Sequence, residues 1–389
     1  MTRSLRIAQV APPIERVPPE MYGGTERVMH ELIVELVRRG HDVTTFASGD
    51  SDVPGRLVPT VPQSLRPAGF GEDPSGFILS TMLTVLDHEN EFDLIHSHLE
   101  WSSMILGRAA RVPVVATFHG RLDLPWATDV LGAPTDVSLV AISESQARTH
   151  PNLDWAVVHN GLDLSGAPFE RRRSSDDLCF VGRVNPEKGI VEAMEVAKLS
   201  GRRLRIAAKI GTTPSERAYN DDVFQPALKA AGSSVEFLGE LSGSDRDRLL
   251  ASSYAVLMPG SWPEPFGLVA IESLACGTPI LARRVGGLAE IIRDGVDGFF
   301  GDDVTQLAFL VPQVAELDRK AIRKSVLDRF SATRMADGYE ALYRRVLETG
   351  DSAEPGDGGE AEETGEAVGP GKTRGRVVDM ASRRSGSAS

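Results

Sequence analysis

The sequence predicts an α/β protein in which two doubly wound parallel sheets lie on either side of a cleft. Short apolar strands alternate with helical patterns along both halves of the 389-residue chain. A segment rich in Gly, Pro and Arg, near Leu164–Asp177, separates the two alternating series. A chain of this length accommodates two or three domains of ordinary size.

The first half opens with an apolar strand at Leu5–Val10, followed by a Pro-rich loop. A helix is predicted over Thr25–Arg39, because apolar residues repeat every fourth position from Val28 and Gly40 ends the pattern. Ser143 with Gln146 fits a capping box that opens another helix. The other strands predicted in this half are His41–Ala47, Leu94–His98, Val112–Phe118, Ser138–Ile142 and Ala156–His159.

The second half repeats this alternation, and a last helix and a tail follow it. The predicted domains are 1–165, 166–331, a helix 332–349 and a disordered tail 350–389, which is rich in Gly, Ser, Ala and Glu. The predicted strands are Leu178–Val181, Leu204–Ile210, Val235–Leu238, Ala255–Met258 and Pro279–Ala282. The predicted helices are Ile190–Leu199, a stretch ending at Ala231, Ser244–Ser252, Val269–Ala275, Leu288–Arg293 and Ala332–Glu348.

Charge and composition exclude several classes of function. The net charge is −13, and residues 1–165 carry 12 Arg, no Lys and 21 acidic residues, so duplex nucleic acid is not an expected partner. Residues 166–349 are close to neutral and are the better candidate for binding an anion. Two cysteines do not make a disulfide scaffold or a zinc module. With no signal peptide or membrane-spanning run in the sequence, we expect a cytoplasmic protein with at most peripheral membrane contact.

Two features of the first half point to a ligand at the ends of strands. Gly23 and Gly24 precede a helix, where glycines allow close approach and a helix N-terminus favours an anion; a flexible loop is an equally good interpretation. His119 follows a strand and could donate a hydrogen bond or act in acid–base chemistry, or simply bond to backbone. His96 and His98 have a spacing that could suit a metal, but no carboxylate or cysteine pairs with them, so no metal is predicted.

Two loops of the second half carry charged residues. Gly182 allows a tight exit from a strand, and Arg183 and Lys188 then lie on a short loop that suits a diphosphate or is a solvated turn. Further along, Glu264 lies in a Pro-flanked loop and Glu272 about one turn into a helix. Backbone N–H groups at Phe266, Gly267 and Leu268 could bind a phosphate oxygen, and a carboxylate one turn into the helix could bind ribose hydroxyls.

The pattern Glu264-x7-Glu272 within Pro-Glu-Pro-Phe-Gly resembles that of the retaining glycosyltransferases of family 4. The resemblance runs from Arg6 to about Leu347 and leaves out the tail. Further motifs match in the same order: Gly23-Gly24, His119-Gly120, Asn160-Gly161, the loop with Gly182, Arg183, Lys188 and Gly189, Gly286-Gly287, and residues 294–298.

The resemblance implies a GT-B fold, in which two Rossmann-like domains face each other across a cleft. The first domain would bind the acceptor, the second the nucleotide-sugar, and the last helix would cross back to the first domain. The implied catalytic residues are His119, Arg183, Lys188 and Glu264. The implied donor-binding residues are Gly23, Gly24, Gly182, Arg183, Lys188, Leu241 (near the nucleobase), Glu264, Phe266, Gly267, Leu268 and Glu272 (at the ribose).

The resemblance further implies transfer of a sugar from a UDP- or GDP-linked donor to an acceptor hydroxyl, with retention and without a metal or other cofactor. The acceptor, whether a sugar, a lipid or a natural product, is not specified by the sequence. The alternatives are a GT-B epimerase or phosphorylase, or a nucleotide-sugar-binding protein without catalysis. The complete set of charged residues argues against the last of these.

Overall fold

The computed structural model describes residues 3–21, 23–70, 73–133 and 135–351. The predicted disordered tail lies outside the described residues, except that the last helix continues to Asp351. The strands of the first half are β1 (Arg6–Val10), β2 (Asp42–Ser48), β3 (Arg56–Val61), β4 (Leu94–Ser97), β5 (Val114–Phe118), β6 (Ser138–Ala141) and β7 (Trp155–Val157). Those of the second half are β8 (Leu178–Val184), β9 (Leu204–Ile210), β10 (Val235–Gly239), β11 (Ala255–Met258), β12 (Ile280–Ala282) and β13 (Gly298–Phe300).

Within the described residues these strands form two parallel sheets. The first has the order β3-β2-β1-β4-β5-β6-β7 and the second the order β10-β9-β8-β11-β12-β13. In each sheet the strand order reverses at one point, between β1 and β4 and between β8 and β11. Ligands of doubly wound sheets bind beyond the carboxyl ends of the strands at such a point, so the topology marks one place on each sheet.

Helices cover the sheets and connect the strands. Those of the first half are α1 (Gly24–Arg38), α2 (Ser75–Asp87), α3 (Ser103–Ala109), α4 (Ala127–Leu131) and α5 (Glu144–Ala147). Those of the second half are α6 (Ile190–Ser200), α7 (Pro214–Tyr219), α8 (Gln225–Ala231), α9 (Gly243–Ser252), α10 (Leu268–Ala275), α11 (Leu288–Ile291), α12 (Val304–Leu310), α13 (Arg319–Arg329) and α14 (Ala332–Asp351). No helix of the described residues is both long enough and apolar enough to cross a bilayer.

The predicted strands are all present, but several predicted boundaries are wrong, and two of these differences have a clear physical reason. Strand β8 does not end at Val181: it pairs with β9 as far as Val184, because glycine at 182 keeps its place in the ladder. Arg183 therefore lies on a strand and not in a loop. Helix α11 ends at Ile291, since Ile292 is extended and the side chain of Asp297 accepts the backbone N–H of Arg293. The sequence prediction also lacked β3, β13 and the helices α2, α3, α4, α12 and α13.

The last helix, α14, packs against α1 and the first sheet. Its Tyr339 and Tyr343 are fully buried, and their hydroxyls bond to Thr117 at 2.9 Å and to His96 at 2.7 Å. On the same helix Glu340 pairs with Arg39 and, at 2.9 Å, with His41. The helix thus stabilises the strands that carry the first-domain part of the site described next.

Candidate active site

A cavity of about 650 Å³ lies where residues following the carboxyl ends of both sheets meet. Residues after β1, β4 and β5 line it from the first sheet, and residues of β8 and after β11 line it from the second. The cavity is therefore at the position that the two reversals of strand order define.

The structure brings together all but one of the residues predicted from the sequence. The cavity lining includes Gly23, Gly24, His119, Gly182, Arg183, Lys188, Glu264, Phe266, Gly267, Leu268 and Glu272. Leu241 is outside this lining and packs against the apolar core, so its contact with a nucleobase stays a prediction. From the same region Arg246, on α9, reaches the cavity instead.

Lys188 is held by a short turn between β8 and α6. The side chain of Asn185 accepts the backbone N–H of Lys188 at 3.1 Å, and Gly189 follows with φ +72°. A Cβ atom on Gly189 would lie 2.7 Å from the backbone nitrogen of Gly260, so only glycine fits there. The ammonium group of Lys188 pairs with the carboxylate of Glu264.

The guanidinium of Arg183 pairs with Glu216 at 3.3 Å. Glu216 is itself fixed, because it forms a reciprocal capping box with Thr213 at the start of α7. The buried Nε atom of Arg183 has no hydrogen-bond partner within the part of the chain that the structure describes. Arg183 and Lys188 are thus two oriented cations on one wall, each paired with a carboxylate.

Glu272 lies at the base of the cavity with only 4% of its surface exposed. It is reached by Arg246 at 3.1 Å and by Arg27, which comes from α1 of the first half. Helix α10, which carries Glu272, begins after Gly267 at φ +114°, where a Cβ would lie 2.7 Å from Leu288. Sequence analysis missed both arginines, although Arg27 directly follows the Gly-Gly-Thr-Glu motif.

The glycines of the first half allow the two halves of the cavity to approach each other. A Cβ atom on Gly24 would lie 3.3 Å from the Leu268 side chain, across the cavity, and one on Gly23 would lie 2.8 Å from Pro19. Gly24 and Leu268, both predicted to face the donor, therefore lie against each other.

His119 is the end of a buried chain of hydrogen bonds. Its Nε2 lies 2.9 Å from Nδ1 of His98, whose Nε2 lies 3.1 Å from the amide oxygen of Gln9. The amide nitrogen of Gln9 lies 3.2 Å from Nδ1 of His96, whose Nε2 lies 2.7 Å from the Thr117 hydroxyl. These hydrogen bonds use both ring nitrogens of His96 and of His98. Among the residues described, no three metal-binding side chains lie together.

This chain fixes where the proton of His119 is. Burial lowers the pKa of His119 to about 4, so its ring is neutral near pH 7. Because the amide oxygen of Gln9 only accepts, His98 carries its proton on Nε2 and accepts at Nδ1. His119 must then donate from Nε2, which leaves its Nδ1 as a hydrogen-bond acceptor for a ligand hydroxyl. His119 thus donates to His98, and its predicted role toward a ligand stays a prediction, with Nδ1 as the atom available for it.

The loop that carries His119 is fixed by Gln146, on α5. Its amide donates to the carbonyl groups of Phe118 at 3.1 Å and Gly120 at 2.8 Å. Ser143 caps α5 by accepting from the N–H of Gln146 and donates to the carbonyl of Pro265 at 2.6 Å. The same short helix therefore holds both the His119 loop and the loop with Glu264.

Glu100 also lines the cavity and was missed in the sequence. It follows β4 and accepts the backbone N–H of His119 at 3.0 Å. Burial raises the pKa of its carboxyl group to about 7. A carboxylate just beyond the carboxyl end of a strand is the signal that could have identified it.

Comparison with known proteins agrees with this geometry. The family model "Glycosyltransferase Family 4" matches residues 22–165, and "Glycosyl transferases group 1" matches residues 168–321. A D-inositol 3-phosphate glycosyltransferase of Mycobacterium marinum is 31% identical, over 84% of this chain and 82% of its own. A glycogen synthase of Mycobacterium tuberculosis is 27% identical, over 84% and 92%.

Solved structures show the same architecture. AviGT4, a glycosyltransferase involved in avilamycin A biosynthesis, superposes with a TM-score of 0.65 at 26% identity, over 89% of this chain and 98% of its own. Sucrose-phosphate synthase from Thermosynechococcus elongatus superposes with a TM-score of 0.67 at 19% identity, over 89% and 100%, and supports the fold alone. The fold and the cavity define a GT-B enzyme that transfers glycosyl groups. The chain belongs to the group 1 glycosyltransferases of family 4.

Proposed function

We propose that this glycosyltransferase moves a sugar from a UDP- or GDP-linked donor to an acceptor hydroxyl, with retention of configuration and without a metal. The observation that carries the proposal is that Arg183, Lys188, Glu264 and Glu272 meet in one cavity with the N-terminus of α10. The arginine and lysine would bind the diphosphate, and Glu272 the ribose. The backbone at Phe266–Leu268 supports this role, since N–H groups at the start of a helix favour a phosphate oxygen.

In the proposed reaction the acceptor oxygen bonds to the anomeric carbon as the bond from that carbon to the diphosphate oxygen breaks. Negative charge develops on the leaving diphosphate, where Arg183 and Lys188 would stabilise it. The acceptor proton passes to the departing phosphate oxygen. Nδ1 of His119 would accept a hydrogen bond from a hydroxyl of the donor sugar. Two cations and a helix N-terminus supply the charge stabilisation that a metal provides in other transferases.

The names of the relatives do not settle the acceptor. One acts on D-inositol 3-phosphate and another is a glycogen synthase. A phosphorylated polyol and a glucan are different acceptors, so the acceptor of this chain has to be argued from its own cavity.

We place the reaction in a reducing compartment, because Cys179 and Cys276 are buried free thiols.

The test is nucleotide release from UDP-glucose, UDP-N-acetylglucosamine, UDP-glucuronate and GDP-mannose, without acceptor and with a chelator present. We expect one donor to be hydrolysed slowly, and the reaction to be lost in Lys188→Ala and Glu272→Ala. Lys198→Ala, at an exposed lysine of α6, is the matched control and should behave as wild type. Tight binding of a nucleotide without turnover, even with acceptors present, would favour a non-catalytic binding protein. Activity only after a divalent metal is added would contradict the metal-free mechanism.

A further inference from the structure

Glu100 has an unusual backbone conformation for its residue type. Its φ is +52°, and among the described residues it is the only non-glycine with positive φ. Such a conformation costs free energy and persists where the surroundings impose it, often at a functional site. Here it directs a carboxyl group into the cavity lining, where one oxygen accepts the N–H of His119.

Within the part of the chain that the structure describes, the carboxyl group of Glu100 accepts from backbone N–H groups and forms no ion pair with a basic side chain. Apart from burial, the groups that act on its charge are the backbone N–H groups of His119 and Gly120. A Cβ atom on Gly120 would lie 3.6 Å from a carboxyl oxygen of Glu100, so the backbone passes close to it. Neither N–H group carries a formal charge, so Glu100 presents to a ligand a carboxyl group that no cation neutralises.

The arginines near this wall already have acidic partners. Arg121, two residues after His119, pairs with Asp123 at 2.8 Å and with Glu187 at 3.3 Å. On the first-domain side of the cavity, Arg66 pairs with Glu15 at 2.6 Å, and Arg27 pairs with Glu272. A phosphate brought to the wall at Glu100 would meet this carboxyl group, and it would have to displace a carboxylate from one of these arginines before the arginine could bind it.

An aromatic residue, Trp101, directly follows Glu100 in the chain. Trp101 lines the cavity and packs edge-on against Phe118, with ring centroids 5.3 Å apart. Trp126 lies 4.5 Å from Trp101, centroid to centroid, and is 45% exposed, so it extends the aromatic surface outwards. A sugar ring has apolar C–H faces and a rim of hydroxyls, and this pairing of an indole with a carboxylate matches both.

We propose that Glu100 and Trp101 form the acceptor subsite, and that the acceptor is an uncharged sugar. Glu100 accepts a hydrogen bond from a hydroxyl of that sugar and orients the hydroxyl toward the donor, which lies beside His119. Trp101 packs against the sugar ring. A phosphorylated acceptor is disfavoured because it would place negative charge beside the Glu100 carboxyl group and would have to break the Arg66–Glu15 or Arg121–Asp123 pair to gain a cation. This inference rests on the proposed function, because it requires a donor in the same cavity.

The test measures transfer from the donor found in the nucleotide-release assay. The acceptor panel contains methyl α-D-glucopyranoside, methyl α-D-mannopyranoside and maltose, and also glucose 6-phosphate, mannose 6-phosphate and D-inositol 3-phosphate. Glu100→Gln and Trp101→Ala are compared with Glu91→Gln, an exposed carboxylate of the same domain. Donor affinity, from calorimetry, and the melting temperature are recorded for every variant, so that loss of folding is recognised separately.

We expect transfer to the neutral sugars and none to the phosphorylated ones. Glu100→Gln should raise the acceptor KM about tenfold or more, because the amide replaces one of the two carboxyl oxygens with a donor, while donor affinity changes much less. The same variant should narrow the preference for neutral over phosphorylated acceptors, which a purely structural role would not do.

Three results would overturn the inference: transfer only to phosphorylated acceptors, an unchanged acceptor KM in both variants, or donor hydrolysis with no transfer to any sugar of the panel. Each of these leaves the transferase itself intact. A wild-type protein that neither binds nor hydrolyses any donor would instead refute the proposed function, and the acceptor site with it.

Discussion

Arg27, on the first helix of the N-terminal half, forms an ion pair with Glu272, on a helix of the C-terminal half, and the pair connects the two halves at the base of the cavity. Glu272 is also bound by Arg246 at 3.1 Å. The carboxylate proposed to bind the ribose is therefore already neutralised by two arginines. Donor binding would have to exchange at least one of these partners for ribose hydroxyls.

This exchange of partners predicts how Arg27→Ala changes the stability of the protein and its affinity for the donor. Without donor, the variant should lose about 1–2 kcal/mol of stability, because one charged hydrogen bond is lost while Arg246 still pairs with Glu272. The variant should bind the donor more tightly than wild type, since one ion pair of Glu272 fewer stands in the way. Thermal melting and calorimetry measure the two effects. Arg56→Ala, which removes an exposed pair with Glu91, should change neither. Weaker donor binding would show that Arg27 contacts the donor itself.

Lys188→Ala should lower kcat by a factor of about 10²–10³. This is the loss seen when one preorganised group that stabilises transition-state charge is removed. The reason is that its ammonium group lies in the cavity, held by the turn at Asn185 and Gly189. Single-turnover kinetics with the responsive donor measure the step. Lys198→Ala tests whether any loss of a nearby lysine has this effect. A kcat within about threefold of wild type would remove Lys188 from the diphosphate site.

Much of the fold could be predicted because its strands are buried on both faces and read as short apolar runs. Strand β9 occupies the predicted residues Leu204–Ile210. Strand β3 was missed, since Arg56–Val61 includes Pro59 and lies at the edge of its sheet, where a run of apolar residues is not required.

The site could be predicted only where a motif marks it. Gly267 and Glu272 lie within one continuous segment, so their spacing already indicates a helix start and a carboxylate one turn later. Arg27 and Glu272 are distant in sequence and meet only through the packing of two domains. The tautomer of His119 depends likewise on Gln9, His98 and the order of β1, β4 and β5. No local pattern carries such information.

His119→Ala should weaken binding of the nucleotide-sugar by about tenfold but leave binding of the free nucleoside diphosphate nearly unchanged. The geometry gives the reason: Nδ1 of His119 is the acceptor that remains for a sugar hydroxyl, and the free nucleotide has no sugar to offer it. Calorimetry with both ligands measures the difference. His150→Ala, at a histidine whose ring bonds the carbonyl of Leu122 outside the cavity, is the control. Equal weakening for both ligands would show that His119 acts on the nucleotide or only on the fold.

Glu26 predicts a pH dependence of stability. It is 6% exposed, and burial, helped by the nearby carboxylate of Glu15, raises its pKa to about 7 from an ordinary value of 4.5. Between these two values the folded state binds more protons than the unfolded state. The free energy of unfolding should therefore fall as pH rises from about 5 to 7, by up to about 3 kcal/mol from this group, and change little above that.

Glu26→Gln isolates this contribution, because glutamine stays neutral at every pH. Urea unfolding at pH 5 and pH 8 should give nearly equal stabilities for wild type and variant at the lower pH, and a more stable variant at the higher pH. Glu340, whose pKa is lowered to about 2, loses its stabilising ion pairs only at lower pH, so it does not contribute in this range. Glu20→Gln, at an exposed carboxylate, should show no such pH-dependent gain. A constant difference between Glu26→Gln and wild type across the range would mean that Glu26 is ionised in the folded protein throughout.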